Sequence, residues 1–290
     1  MESLRDLVDQ ELRTPVDPRV AALAAAIAKQ HGTASRAVLF YGSCLREQAL
    51  DGLMLDFYLI VSDYQSAYEK RWLAVANRLV PPNVFPFEKD GLAAKYAVLS
   101  EADFHRLCGP ETSSVSVWAR FAQPSRLVWM ADQAARESAI DAVSRAAPTL
   151  LAAAGSLEGE EPLDWWRRAF ALTYSAELRA ERKVRSASVV DADEERYRRF
   201  SLPATAAIPY SNWWQIPGHG WWWRRAQGKA LSVLRLAKAS ATFAGGVDYI
   251  AWKINRHAGT KIEIKPWQRR WPLLAAISLL PRLLRSGAIR

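Results

Sequence analysis

The chain has 290 residues, of which 50% are apolar and 24% are charged, and these proportions exclude a disordered polypeptide. Its two cysteines exclude a disulfide framework and a cysteine-rich metal site. The net charge of +9 is unevenly distributed: residues 211–290 hold 14 Lys and Arg against 2 acids, whereas residues 1–210 hold 25 basic and 28 acidic residues. Because residues 211–290 also carry eight of the 13 tryptophans, we expect an anionic partner for this end of the chain.

Apolar periodicity and turn residues predict an α/β sheet domain within residues 1–132. The predicted elements, in chain order, are a helix over 18–31, strands over 36–41 and 53–61, a helix over 67–78, a strand over 93–99, a short helix over 101–107 and a short strand over 127–130. Alternation of strands with helices is typical of the α/β class.

The chain then changes from mixed to helical character. Residues 133–205 carry apolar side chains at helical intervals and predict a helical domain, with a long helix over 163–183. Residues 206–290 form a third, basic and tryptophan-rich region, with an irregular start and helices predicted over 228–243 and 247–257. We expect a cytoplasmic protein, because the amino terminus lacks a signal-peptide pattern and no window holds the roughly 20 apolar residues of a spanning helix.

The turn after the first strand carries the clearest chemical signal. An apolar strand stops at Gly42-Ser43, and the next strand is interrupted by Asp56. A carboxylate inside an apolar strand is costly to bury unless a cation pairs with it. Nucleotidyltransferases of the polymerase-β type use such a turn to cradle phosphates and such an acid to hold Mg²⁺. Their usual first acid would fall at Met54, and a structurally paired Asp56 is the alternative interpretation.

Four stretches in order resemble one nucleotidyltransferase family. They are Tyr41-Gly42-Ser43 with Met54-Leu55-Asp56-Phe57, then Lys95-Tyr96-Ala97-Val98 followed by Asp103, then residues 118–124 (WARFAQP), and then residues 173–179 (TYSAELR). This pattern is similar to that of the mitochondrial-type phosphatidate cytidylyltransferases, the translocator assembly and maintenance family. The chain departs from the family at Cys44, where a further glycine is usual, at Gln123, where a lysine is usual, and at Ala176-Glu177, which replaces glycine-aspartate.

The resemblance implies a nucleotidyltransferase fold and a Mg²⁺-dependent reaction of CTP with phosphatidic acid that gives CDP-diacylglycerol and pyrophosphate. It implies catalytic roles for Asp56, Lys95 and Glu177, with Asp56 and Glu177 as metal ligands. The implied nucleotide-binding residues are Tyr41, Gly42, Ser43, Arg120 and Arg179.

Several of these charged residues have a purely structural alternative. Glu177 lies on an apolar helix near Arg179, and an ion pair with Arg179 or Arg120 would explain it as well as a metal does. Lys95 in its apolar strand predicts either a phosphate partner or a salt bridge to an acid on the neighbouring strand. Arg126, like Arg120, is either a phosphate ligand or an ordinary surface arginine.

The carboxyl-terminal region predicts peripheral attachment to an anionic membrane, on the inner face of the cell membrane. Its candidate membrane residues are Trp267, Arg269, Arg270, Trp271, Leu274, Arg282 and Arg285. The same pattern leaves open a nucleic-acid surface, which we do not expect, or a tryptophan core with outward-reaching arginines. Two further functions stay open: nucleotidyl transfer to RNA or a small soluble acceptor, and a catalytically degenerate lipid-binding scaffold.

Overall fold

The structure is a computed structural model that describes residues 2–46, 50, 52–155, 159, 161–176, 189–208, 221–242 and 265–266. Within these ranges the chain forms a five-stranded open sheet with helices packed on both faces, which confirms the predicted α/β class.

The sheet is mixed, with the strand order β3-β4-β2-β1-β5. Its strands are β1 (Ser35–Tyr41), β2 (Met54–Val61), β3 (Asn83–Lys89), β4 (Leu92–Ser100) and β5 (Ser125–Met130). Strands β2 and β4 pair in parallel, and the other three pairings are antiparallel. The central position of β2 places its residues between two neighbours, which matters for Asp56 below.

Eleven helices can be delimited in the described parts of the chain. They are α1 (Leu4–Leu12), α2 (Pro18–Gln30), α3 (Tyr64–Ala67), α4 (Arg71–Leu79), α5 (Glu101–Cys108), α6 (Trp118–Phe121), α7 (Gln133–Ser144), α8 (Ala146–Ala154), α9 (Pro162–Ala176), α10 (Glu194–Ala206) and α11 (Trp221–Thr242). Among the described residues, no helix is long and apolar enough to cross a membrane.

Each face of the sheet has its own apolar core. On the first, which we call the helical face, strand residues such as Leu39, Tyr58 and Leu99 pack with side chains from α1 and α5 to α10. On the opposite face, Phe57 and Val98 pack with α2 and the α3–α4 region. Because side chains alternate along a strand, residues two positions from Tyr58 point to the helical face as well.

Most of the predicted elements of the sheet region are confirmed within a residue or two, but β3 was not predicted. Its sequence, residues 83–89 (NVFPFEK), contains Pro86, which lacks the N–H that a central strand needs. The strand lies at the edge of the sheet, where one side has no neighbour to receive that N–H.

The predicted helix over 67–78 is interrupted. Tyr68 has extended backbone angles (φ −129°, ψ 128°) and separates the short α3 from α4. Its ring packs against His31 and Phe85, with centroids 5.9 and 6.0 Å away. Burial of this ring on the sheet therefore overrides the helical preference of the flanking residues.

The region after residue 132 is helical, as predicted, and α9 covers the predicted helix as far as Ala176. Helix α11 begins at Trp221, earlier than the predicted helix over 228–243. Its first turns are anchored to the protein body: the Trp221 indole donates to the Ala153 carbonyl (3.1 Å), and Arg224 donates to the Ser113 carbonyl (3.0 Å). These contacts hold a helical start that the local sequence does not indicate.

Candidate active site

Strands β2 and β4 bring an acid and a base together on the helical face. Asp56 and Lys95 are direct partners in the parallel ladder. The Lys95 Nζ lies 2.8 Å from the Asp56 Oδ1, and the two side chains are 24% and 21% exposed. This salt bridge between neighbouring strands is the structural alternative predicted for Lys95, and the pair remains accessible to a solvent-borne ligand.

The orientation of the pair follows from strand alternation. Tyr58 and Ala97, each two residues further along, belong to the core of the helical face, so Asp56 and Lys95 point the same way. They lie near the amino ends of β2 and β4, where the apolar layer gives way to partly exposed positions.

The glycine turn lies directly against the acid. Tyr41 is the ladder partner of Asp56 at the end of β1, and Gly42 follows with a φ of +96°. A Cβ atom built on Gly42 would stand 3.4 Å from the Asp56 Oδ2, so the turn and the carboxylate are in close contact. Glycine is favoured here by its backbone angle, whereas a Cβ atom at 3.4 Å would only touch the carboxylate at van der Waals distance.

The remainder of the turn is fastened to the start of β2. Ser43 opens a 3₁₀ turn, Ser43–Arg46, and is half-buried. The Cys44 thiol donates to the Met54 carbonyl at 3.4 Å. Cys44, at a position where the resembled family has a glycine, thus holds the turn to the strand that carries Asp56.

Arg120 of α6 reaches the end of β1 beside Asp56, a place that we call the corner of the sheet. Its guanidinium donates to the Ser116 hydroxyl at 2.8 Å and to the Ser116 carbonyl, and it also contacts the Tyr41 hydroxyl. Burial raises the pKa of Tyr41 well above its ordinary value, the Asp56 charge adds to this rise, and Arg120 opposes it. Tyr41 is therefore a neutral hydrogen-bonding group between a carboxylate and a guanidinium.

Three aromatic rings support this corner, and their joint role was not predicted. The ring centroids of Tyr41, Tyr58 and Phe121 lie 5.1 to 5.9 Å from one another. Tyr58 and Phe121 are buried in the core of the helical face. The alternation of Asp56 and Tyr58 along β2 is the sequence signal that would have identified the Tyr58 ring as the support.

Helix α11 packs against α9 and the edge strand β3, and it adds cations there. Arg224 donates to the Thr112 and Ser113 carbonyls, Arg235 to the Pro81 carbonyl (2.8 Å) and the Ser114 hydroxyl (3.4 Å), and Lys238 to the Val80 carbonyl. The buried loop 112–117 thus contacts α11 through Arg224 and Arg235, and it contacts Arg120 through Ser116. This arrangement was not predicted, because backbone carbonyl partners leave no trace in residue types.

Burial also changes the ionisation of these α11 cations. It lowers the pKa of Arg224, and, together with the nearby Arg235 charge, it lowers the pKa of Lys238 to about 7. Both groups are in surroundings where an added negative charge would be electrostatically favourable.

Gln123, which replaces the family's usual lysine, and Arg126, for which a phosphate contact was one of two predicted alternatives, both have partners away from Asp56. The Gln123 amide, at the position of the family's lysine, donates to the Ala119 carbonyl at 2.8 Å and so caps its own helix. Arg126 donates to the Ser125 carbonyl, and the charged groups that influence it are Glu11, Arg196 and Asp193. Burial lowers the pKa of Arg126, and these neighbours associate it with α1 and α10 rather than with Asp56.

Several predicted residues lie outside the described residues. These are Glu177 and Arg179 of the predicted active site, and the predicted membrane residues Trp267, Arg269, Arg270, Trp271, Leu274, Arg282 and Arg285. The described part of α9 ends at Ala176, whose carbonyl oxygen lies directly against Gly228 of α11 and leaves no room there for a Cβ atom.

The residues fit a divalent cation that takes most of its ligands from a substrate. Among the described residues, no group of three His, Cys, Asp or Glu side chains could hold a metal. Mg²⁺, however, is commonly held by one or two carboxylates together with substrate phosphates and water. Asp56 supplies one such carboxylate, and its Oδ2 faces the turn where the phosphates would lie.

The arrangement as a whole is suited to binding a polyanion. It combines a carboxylate–ammonium pair, a close glycine turn, a neutral tyrosine hydroxyl and a guanidinium within one corner of the sheet. Such a set can bind phosphate through the backbone and the cations while the carboxylate holds a metal. No protein-family model and no curated protein matches this chain.

Proposed function

We propose that this chain is a phosphatidate cytidylyltransferase whose sheet region is a nucleotidyltransferase domain. The observation that supports the proposal is the contact of the Gly42 turn with Asp56, which is itself paired with Lys95 across the parallel ladder. These residues can serve as a phosphate-cradling turn, a metal-binding acid and a phosphate-neutralising lysine, and nucleotidyl transfer depends on such positioning and charge neutralisation.

The protein groups have separate tasks in this reaction. The backbone at Gly42 and Ser43 cradles the triphosphate of CTP, and the Lys95 ammonium transfers from the Asp56 carboxylate toward a phosphate oxygen. Arg120 adds positive charge from α6 and holds the Tyr41 hydroxyl in place. The acceptor phosphate oxygen forms a bond to the α-phosphorus of CTP, the bond from that phosphorus to the bridging oxygen breaks, and pyrophosphate leaves with the electron pair.

Asp56 is the residue that would hold Mg²⁺, and Glu177 is the proposed second ligand. When bound, the metal would supply charge neutralisation between the phosphate oxygens. No general base is required, because the attacking group is already a phosphate anion. The task of the chain's own residues is to position two anions in line and to offset their repulsion.

The proposed acceptor is phosphatidic acid in an anionic membrane at the inner face of the cell membrane. The choice of CTP and of this lipid rests on the family resemblance. The excess of 14 basic over 2 acidic residues in 211–290, with eight tryptophans, supports a membrane rather than a soluble acceptor. A peripheral enzyme of this kind meets its lipid substrate without spanning the bilayer.

A second candidate function is a catalytically degenerate scaffold that binds lipid. Two features favour it. Lys95 neutralises Asp56, and Met54 stands where the other strand acid of polymerase-β-type enzymes is usual. In this alternative the ion pair only stabilises the sheet, and the carboxyl-terminal region carries the function.

The test is a turnover assay with Mg²⁺, radiolabelled CTP and phosphatidic acid in vesicles, with Asp56→Ala as the inactive control. Label moving into lipid with the wild type and not with the variant supports the proposal. Label moving instead into RNA or a soluble phosphate acceptor indicates nucleotidyl transfer with a different acceptor. Vesicle binding without turnover of any nucleoside triphosphate would support the scaffold.

A further inference from the structure

Helix α4 is oriented so that three of its large apolar side chains face solvent. Trp72, Val75 and Leu79 are 49%, 56% and 73% exposed. The helix buries Ala74 and Asn77 and packs the half-buried Leu73 against the core. Spacings of three and four residues place the three exposed side chains on one stripe of the helix, which we call the α4 stripe.

The orientation of α4 is fixed by buried amide hydrogen bonds. The Asn77 side chain, which is fully buried, donates to the Val98 carbonyl at 2.9 Å and accepts from the Asn83 backbone N–H. The Asn83 side chain in turn donates to the Leu73 carbonyl at 3.0 Å. Rolling α4 to bury the stripe would leave these buried polar groups without partners, at a cost of about 1–3 kcal/mol per group.

Three exposed basic residues and one exposed acid lie on α4 or directly before it. The sequence of α4, residues 71–79 (RWLAVANRL), contains no acid, and Arg71 and Arg78 are exposed beside the stripe. Lys70 precedes the helix and is exposed, as is Glu69 before it. An apolar stripe with a tryptophan and flanking basic residues complements an anionic lipid surface.

Residues 243–290, which we call the tail, follow α11 in the chain, and α11 ends close to α4. Helix α4 ends at Leu79, and the carbonyls of the next two residues, Val80 and Pro81, accept hydrogen bonds from Lys238 and Arg235 of α11. Thr242, the last described residue of α11, lies four residues beyond Lys238, or about 6 Å further along the helix axis. The end of α11 that precedes residue 243 is therefore the end that is bound beside α4.

We propose that the α4 stripe inserts into the interface of an anionic membrane and forms a second contact beside the one predicted for the tail. This inference rests on the proposed membrane association and is independent of nucleotidyl transfer. The occupant is a bilayer surface. It is favoured over a protein partner because cationic and apolar side chains share one helix face with no acid within α4.

The direct test places an environment-sensitive fluorophore at the stripe through Val75→Cys in the full-length protein. The native Cys44 and Cys108 are buried, so the introduced thiol reacts preferentially. Leu202→Cys is the matched control, because Leu202 is a 60% exposed apolar residue on α10. Each labelled protein is mixed with phosphatidylcholine vesicles with and without phosphatidylglycerol.

We expect a blue shift at position 75, with quenching by a bilayer-embedded quencher, on the anionic vesicles and no shift at position 202. The double variant Trp72→Ser/Leu79→Ser is expected to bind these vesicles about tenfold more weakly, and Leu202→Ser as tightly as the wild type. The Asp56→Ala protein should give the same shift, which separates this surface from the transfer reaction.

Three results would overturn the inference. The first is vesicle binding with no change at position 75, which would assign the contact to the tail alone. The second is a shift at position 75 that appears without vesicles and grows with protein concentration, which would identify a second copy of the chain as the occupant. The third is an absence of vesicle binding, which would exclude a membrane contact altogether.

Discussion

The two faces of the sheet both contain polar groups, but they use them differently. On the face that packs against α2 and α4, Asn77 and His31 are neutral groups with backbone carbonyls among their partners: Asn77 with Val98 (2.9 Å) and His31 with Ala67 (2.9 Å). On the helical face, Asp56 and Lys95 are charged, bind each other, and remain 21% and 24% exposed.

The polar groups of one face therefore stabilise the fold, whereas those of the helical face can bind a ligand. A backbone carbonyl held in the sheet cannot be exchanged for a ligand, so the Asn77 bonds fix the structure and do nothing else. A partly exposed side-chain ion pair can open, because an arriving phosphate competes with Asp56 for the Lys95 ammonium and a cation competes with Lys95 for the carboxylate. We therefore expect variants at the ion pair to lose activity and variants at Asn77 to lose stability.

The largest effect is expected for Lys95→Met, which should lower kcat/KM for CTP by roughly 100- to 1,000-fold through loss of a charge beside the phosphates. Steady-state kinetics with CTP and phosphatidic acid measure it. Lys89→Met is the matched control, because Lys89 is also a strand lysine and pairs with an acid, Asp90, at the exposed sheet edge. Equal losses in both variants would contradict a local role for Lys95.

A purely structural effect is expected for Asn77→Ala. It leaves the buried Val98 carbonyl and the Asn83 N–H without this partner, so the free energy of unfolding should fall by about 2 kcal/mol or more. Urea denaturation measures the loss, and kcat of the folded variant should be unchanged. Ser66→Ala, at an exposed side chain, should cost no more than about 0.5 kcal/mol. A stable but inactive Asn77 variant would break the distinction between the two faces.

A smaller, mixed effect is expected for Gly42→Ala. The positive φ of Gly42 should cost about 1 kcal/mol of stability, and a Cβ atom 3.4 Å from Asp56 should also raise the KM for CTP about tenfold. Gly32→Ala provides the control: Gly32 also has a positive φ, but a Cβ atom there would meet nothing within 4 Å. An unchanged KM in Gly42→Ala would argue against a phosphate-cradling turn.

A further effect is expected in the pH dependence of stability. The pKa of Lys238 is lowered to about 7 from 10.5 by burial, so between these values the unfolded chain binds more protons at this group than the folded protein does. Its contribution to the free energy of unfolding therefore rises with pH across that window. Lys238→Met should flatten this rise in urea titrations, and an identical pH profile in both proteins would contradict it.

The elements that short stretches of sequence determine by themselves were predicted correctly. Short apolar runs located β1, β2 and β4, and the glycine turn beside Asp56 was predicted from residue types alone. The register that makes Lys95 the partner of Asp56 is a long-range property, and sequence reasoning could offer it only as one of two alternatives.

The missed features depend on tertiary contacts. Strand β3 is tolerated with Pro86 only because it lies at an edge, and α4 exposes its apolar stripe only because Asn77 is bound to the sheet. The partners of the α11 cations are backbone carbonyls, which any sequence would supply. The roles predicted for Glu177, Arg179 and the carboxyl-terminal tryptophans and arginines remain predictions.

The central claim is that the Asp56–Lys95 pair serves nucleotidyl transfer. Its most direct test is an exchange of the two charges in the double variant Asp56→Lys/Lys95→Asp. If the pair serves nucleotidyl transfer, the exchanged protein should retain the fold, within about 1 kcal/mol of the wild-type free energy of unfolding, and transfer no CMP to phosphatidic acid. Turnover at the wild-type rate after the exchange would show that the pair only stabilises the sheet, and would contradict the account.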